Sequence, residues 1–151
     1  MSEIVSYFEK LYIKRHRCSV GFEGLEWAPI KTESRSWLKR PFEEGEVRAT
    51  IEMCDGEKAQ GPDVYTMEVF KRGWNTIKKD VLGVFDEFFN NGIINACTNS
   101  TYICLIPKKL SSLKLKDYRP ISFVTSLYKI LAKVLSLRLR DVLGETISLA
   151  Q

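Results

Sequence analysis

The chain has 151 residues, enough for one domain or a piece of a larger one. Its 44% hydrophobic content, with three Trp, eight Phe and six Tyr, can supply a core and excludes wholesale disorder. The formal net charge of +4 hides an asymmetry, because residues 108–140 alone hold nine basic side chains and one acidic. That concentration is the footprint of a phosphate-binding surface, or of an ordinary solvated basic face.

The cysteines, Cys18, Cys54, Cys97 and Cys104, lack zinc-ligand spacing, and His16 is the sole histidine. A structural metal site and a Ser-His or Cys-His nucleophile are therefore not expected. No run of about 18 apolar residues and no signal-peptide layout occurs. The expectation is an intracellular protein of the nucleus or cytoplasm.

In chain order, residues 4–13 carry Ile4, Phe8, Leu11 and Tyr12 at helical spacing and predict a short helix. Residues 14–36, with Gly21, Gly24 and Pro29, read as a connector. Acids after Phe42 suit a helix start within residues 37–55. Gly61-Pro62-Asp63 predicts a turn whose aspartate can cap backbone N–H groups. Met67, Phe70, Trp74, Ile77, Val81, Val84 and Phe88 then form an apolar stripe; Gly73 can divide it into two helices, and Asn90-Asn91-Gly92 can end it.

Residues 101–107 and 118–124 read as two strands joined by the basic loop 108–117, with Pro120 marking an edge. Residues 126–143 predict the strongest helix, with Leu127, Ile130, Leu131, Val134, Leu135 and Val142 on one face. Lys129, Lys133 and Arg140 fall on the opposite face, while Arg138 projects into the apolar stripe. It must either reach solvent or meet something polar there. The pattern as a whole is α+β, mostly helical with one basic β-hairpin.

Several of these stretches carry a family likeness. They are Tyr7 to Tyr12, Arg40 to Glu44, Glu57 to Asp63, Ile103 to Lys109 (ICLIPKK) and, most specific, Asp117 to Lys133 (DYRPISFVTSLYKILAK). In this colinear order the chain resembles the early part of plant-type LINE (non-LTR) retrotransposon reverse transcriptases. The turn departs from the family pattern Lys-Ala-Pro-Gly-Pro-Asp-Gly: Gln60 and Val64 replace the flanking proline and the last glycine. Valine disfavours the positive φ that glycine would permit there, which suggests relaxed constraint in a decayed copy.

The resemblance implies a fingers and upper-palm fragment of a right-hand polymerase. It divides the chain into a connector over residues 1–45 and a partial reverse transcriptase domain over residues 46–151. An endonuclease domain usually precedes this region and the catalytic palm follows it, so neither is expected here. Nucleotidyl transfer needs clustered carboxylates holding Mg²⁺, and no Asp in the sequence is followed by another. The implied role is thus a polymerase fragment inactive alone, with no cofactor of its own and Mg²⁺ only in the full-length enzyme.

By resemblance, Lys108 and Arg119 present cations to nucleotide phosphates, a point charge and a rigid fork. The competing reading has Arg119 pairing with Asp117 or with backbone carbonyls. Lys109, Lys129, Lys133 and Arg140 are candidates for nucleic-acid backbone contact, or a plain solvated face. The three tryptophans, Trp27, Trp37 and Trp74, read as packing rather than base-stacking groups. The expected partner is RNA or DNA backbone, bound weakly and without sequence preference, and no membrane. The alternatives are a sequence-independent nucleic-acid-binding module over residues 108–140, or a structural or interaction remnant. Truncation before the palm would leave part of the last helix's apolar face uncovered and promote self-association.

Overall fold

The acid run after Phe42 does start a helix, and the elements around it set the core. The computed structural model describes residues 2–13 and 29–146. The helices are α1 (Ser2–Tyr12), α2 (Thr32–Leu38), α3 (Glu44–Glu52), α4 (Met67–Arg72), α5 (Trp74–Asn91) and α6 (Ser126–Thr146). Strands β1 (Thr101–Pro107) and β2 (Tyr118–Val124) pair as a two-stranded sheet, with one 3₁₀ turn at Leu115–Asp117 between them. No helix among the described residues is long and apolar enough to cross a membrane.

The described residues fall into two compact units, one combining α1 with residues 104–121, the other combining residues 29–103 with 122–146. In the first unit, α1 matches the predicted helix, and Phe8 is its buried residue, edge-on to Tyr7 at 5.1 Å. Ile4, Leu11 and Tyr12 are exposed.

In the second unit, Val47 and Ile51 of α3, Met67 and Phe70 of α4, Trp74, Val81 and Phe85 of α5, and Ile130, Leu131 and Val134 of α6 form one buried cluster. Phe42 closes it from the loop before α3, with its ring edge-on to Phe85 at 5.0 Å. Gly73 separates α4 from α5, because its N–H bonds the Val69 carbonyl at 2.8 Å while α5 restarts at Trp74. Gly92 ends α5 in the left-handed region (φ 66°), and its N–H takes the Phe88 carbonyl at 2.8 Å. Trp74 is core, as its spacing predicts; Trp27 lies outside the described residues.

Three expectations need correction. Part of the supposed connector is helix α2, since Thr32 to Leu38 holds neither Gly nor Pro. Residues 14–28 of that connector lie outside the described ones. Second, Leu135 is not on the buried face of α6, where Arg138 takes the inner position instead. Third, most of the predicted face is covered within this chain, at Ile130, Leu131, Val134 and Val142, and its uncovered part is Leu135. The helix is closed mainly by α3, with α2 also against it. Further exposed apolar groups are Leu139 on α6 and Tyr102, Ile103, Ile106, Leu110 and Leu113 on the hairpin.

Candidate nucleic-acid interface

The hairpin is closed by its own polar groups. The Lys108 amide donates to the Asp117 carbonyl at 2.8 Å, and the Tyr118 hydroxyl donates to the Ser112 carbonyl at 3.2 Å. The Lys108 ammonium bonds the Lys116 carbonyl at 2.7 Å. Lys109 pairs with Asp117 at 3.6 Å, so that carboxylate is engaged by Lys109 and not by Arg119. Arg119 is exposed and forms no ion pair among the described residues. It stands two residues beyond Asp117, the residue that fixes Lys108. Of the two hairpin cations, Lys108 is thus held by the loop's own carbonyls, whereas Arg119 makes no ion pair among the described residues.

The start of α6 is tied to two distant segments of the second unit. Asp63, from the Gly-Pro-Asp turn, accepts the Ser126 amide at 2.6 Å, while the Ser126 hydroxyl donates to the Tyr65 carbonyl at 2.7 Å. Thr125 completes the cap: its hydroxyl donates to the Thr98 carbonyl at 2.5 Å and accepts the Tyr128 amide at 3.3 Å. Gly61 is buried against this junction, where a Cβ would lie 2.8 Å from the Thr125 nitrogen. The turn itself is closed by the Val64 amide on the Gly61 carbonyl at 3.1 Å, and Val64 is held at φ 59°. A β-branched residue there is strained.

This junction positions the lysines of α6. Lys129 donates to the Ala59 carbonyl at 2.8 Å, and Lys133 follows one turn later on the same side. Both line a cleft of about 290 Å³ with Lys58, Met53, Cys54, Asp55, Met67 and Ser126. Arg140, grouped with these lysines by helical spacing, is not in that cleft. It sits about 10 Å farther along the axis than Lys133, beside Asp141 at 3.4 Å. Lys58 was missed by the sequence reading; its only signal is its place just before the Gly61 turn.

Arg138 meets something polar, and that partner is in this chain. Its five N–H donors are all used: two on the Glu46 carboxylate at 2.7 Å each, and three on the carbonyls of Leu38 (3.3 Å), Arg40 (2.7 Å) and Pro41 (2.9 Å). The guanidinium also lies 4.3 Å from the centre of the Phe42 ring. Burial pushes the Glu46 carboxyl up, but the hydrogen bonds and charge of Arg138, with the charge of Arg40, outweigh it and hold the group below its ordinary value. This cluster shapes the interior and carries no reactive chemistry.

The family likeness extends to a protein encoded by a transposable element. Over 147 residues, 94% of this chain, the sequence is 31% identical to the Transposon TX1 uncharacterized 149 kDa protein of Xenopus laevis. A match that omits so little of the chain takes in the Gly61 turn, the hairpin and most of α6. The chain spans 11% of that protein's length. No protein-family model matches the chain. The similarity supports an origin in a transposable element, consistent with the non-LTR retrotransposon resemblance of the motifs.

Proposed function

We propose that the chain is a fingers and upper-palm portion of the RNA-directed DNA polymerase of a plant-like non-LTR retrotransposon. By itself it binds RNA or DNA backbone, in the nucleus or cytoplasm, and does not polymerise. The observation that carries this reading is the junction between the resembling motifs. The Glu57 to Asp63 stretch is joined to the DYRPISFVTSLYKILAK stretch through Asp63–Ser126 and Ala59–Lys129 hydrogen bonds. Motifs 60 to 70 residues apart thus serve one structural unit rather than resembling the family piecemeal.

Lys108 and Arg119 are the proposed nucleotide-phosphate contacts. Lys109, Lys129, Lys133 and Arg140 are the proposed backbone contacts. Mg²⁺, which the family chemistry requires, finds no fit here: no group of three or more His, Cys, Asp or Glu among the described residues could hold an ion. Its ligands in the full-length enzyme would come from other segments.

The test is binding of a labelled single strand, followed by fluorescence anisotropy over a salt series. Affinity should fall steeply with salt, because each phosphate contact releases counterions. Lys108→Ala with Arg119→Ala should weaken binding to all sequences alike. Binding that ignores both salt and that double substitution would remove the hairpin from the interface. Primer extension that survives repurification would overturn the assignment of inactivity. A second reading, a decayed copy kept only as a structural remnant, is favoured by Val64 at φ 59°; absence of any strand binding at low salt would select it.

A further inference from the structure

We propose that the cleft between the loop after α3 and the first turns of α6 holds a single nucleotide unit. Lys58 and Lys133 would take its phosphate, and its base would lie on Met53 and Met67. The proposal deepens the strand-binding reading above and rests on it.

The cleft has three cationic side chains, Lys58, Lys129 and Lys133, against one carboxylate, Asp55. Asp55 accepts the Glu57 amide at 3.1 Å, which engages one of its oxygens. Lys129 is held by the Ala59 carbonyl at 2.8 Å, so its charge is fixed in place before a ligand arrives. Lys58 and Lys133 are exposed and make no ion pair among the described residues. They are the cations left for an incoming anion.

The rest of the lining is not suited to an anion alone. Met53, Met67 and Cys54 supply polarisable sulfur, which makes favourable contacts with an aromatic ring. Met67 is buried and forms part of the core, whereas Met53 is exposed, so one wall is firm and the other adaptable. A cleft of about 290 Å³ falls just short of the usual range of ligand sites, roughly 300–1,000 Å³. That suits one unstacked nucleotide and is too small for a duplex. Single-stranded nucleic acids are commonly held in this way, by a cationic edge for the backbone and a face for the base.

The nucleotide can come free or within a strand, and Cys54 separates these sources. Cys54 lines the cleft and is half-buried, while Cys97 and Cys104 are exposed elsewhere. Alkylation by iodoacetamide is followed residue by residue with mass spectrometry, using AMP, inorganic phosphate, a short single-stranded oligonucleotide, a duplex or polyglutamate as probe. At a probe concentration about tenfold above the Kd, labelling of Cys54 should slow about tenfold. AMP and the oligonucleotide should do this, with Cys97 and Cys104 unaffected by AMP; the duplex and polyglutamate should not. Protection by the oligonucleotide but not AMP places the nucleotide in a strand, and still supports the site.

Lys58→Ala with Lys133→Ala should remove the protection while circular dichroism stays unchanged. If a strand binds but neither it nor AMP slows Cys54, the cleft is not the site and the strand-binding reading stands. If AMP protects Cys54 but no strand binds at any salt, the cleft takes free nucleotide and the strand-binding reading fails. Equal protection by polyglutamate, or protection that persists in the Lys58 and Lys133 double variant, would overturn the proposal.

Discussion

Glu46 is the residue whose loss the structure predicts to be most costly. Replacing it with Ala leaves Arg138, only 3% exposed, with a full charge and two of its five donors unmet. Removing one partner of a buried pair costs about 3–5 kcal/mol, because the remaining charge is neither hydrated nor compensated. Arg138 keeps three carbonyl partners, and Glu46 is itself 18% exposed, so the lower half of that range is expected. Water reaching the vacated side of Glu46 would soften the loss to about 3 kcal/mol. Against a net stability of about 5–15 kcal/mol, such a loss is large. Urea unfolding followed by Trp fluorescence measures it, with Trp74 in the core as reporter. Glu46→Ala together with Arg138→Met should cost less than the sum of the two single substitutions, since it removes both charges at once while the carbonyls of Leu38, Arg40 and Pro41 lose their donor. A Glu46→Ala cost below about 1 kcal/mol, typical of a surface pair, would refute the argument. So would strict additivity of the two substitutions.

The same pair sets an acid limit. With the folded Glu46 carboxyl below its ordinary 4.5, its contribution is complete above the unfolded value and fades as pH falls through the folded one. Unfolding midpoints measured from pH 6 downward should drop over that window, and drop less in Glu46→Gln. Val64→Gly should stabilise: relief of about 1–2 kcal/mol of left-handed strain outweighs roughly 0.4–1 kcal/mol of added unfolded-state entropy. Because Val64 is 70% exposed, little burial is lost, and the melting temperature should rise by about 2–4 °C; a fall would show that the strain is not there. Gly61→Ala should act the opposite way, costing about 2 kcal/mol or more because a Cβ runs into the Val124–Thr125 backbone; a neutral result by urea unfolding would mean that this junction yields easily.

Local patterns carried much of the architecture. The division at Gly73, the stop at Gly92 and the two strands each follow from nearest neighbours and were legible for that reason. What was not legible depends on distant partners. Asp63 reads as a capping residue, but the helix it caps begins 63 positions later. Arg138 stands out as a misfit in its own helix, while Glu46 sits unremarkably in an acidic run, and nothing in either stretch names the other. Leu135 has the right spacing for the inner face of α6, yet Arg138 and its partners shift that face away from it. The site residues show the same divide. The hairpin cations are visible in the sequence because they cluster there, whereas Lys58 joins Lys129 and Lys133 only where the loop following α3 meets α6.

The five-donor arginine also fixes an order of events. The segment from Leu38 to Pro41 takes its shape from carbonyl bonds to a residue about 100 positions downstream. Thr98 and Asp63 likewise wait for Thr125 and Ser126. A growing chain can form α3, α4 and α5 early from neighbouring contacts, but these ties remain open until α6 has been made. Closing such long loops carries an entropic cost that is met only when α6 docks. Until α6 is made, the half-built unit is expected to expose Val47 and Ile51 on the face of α3 that α6 covers.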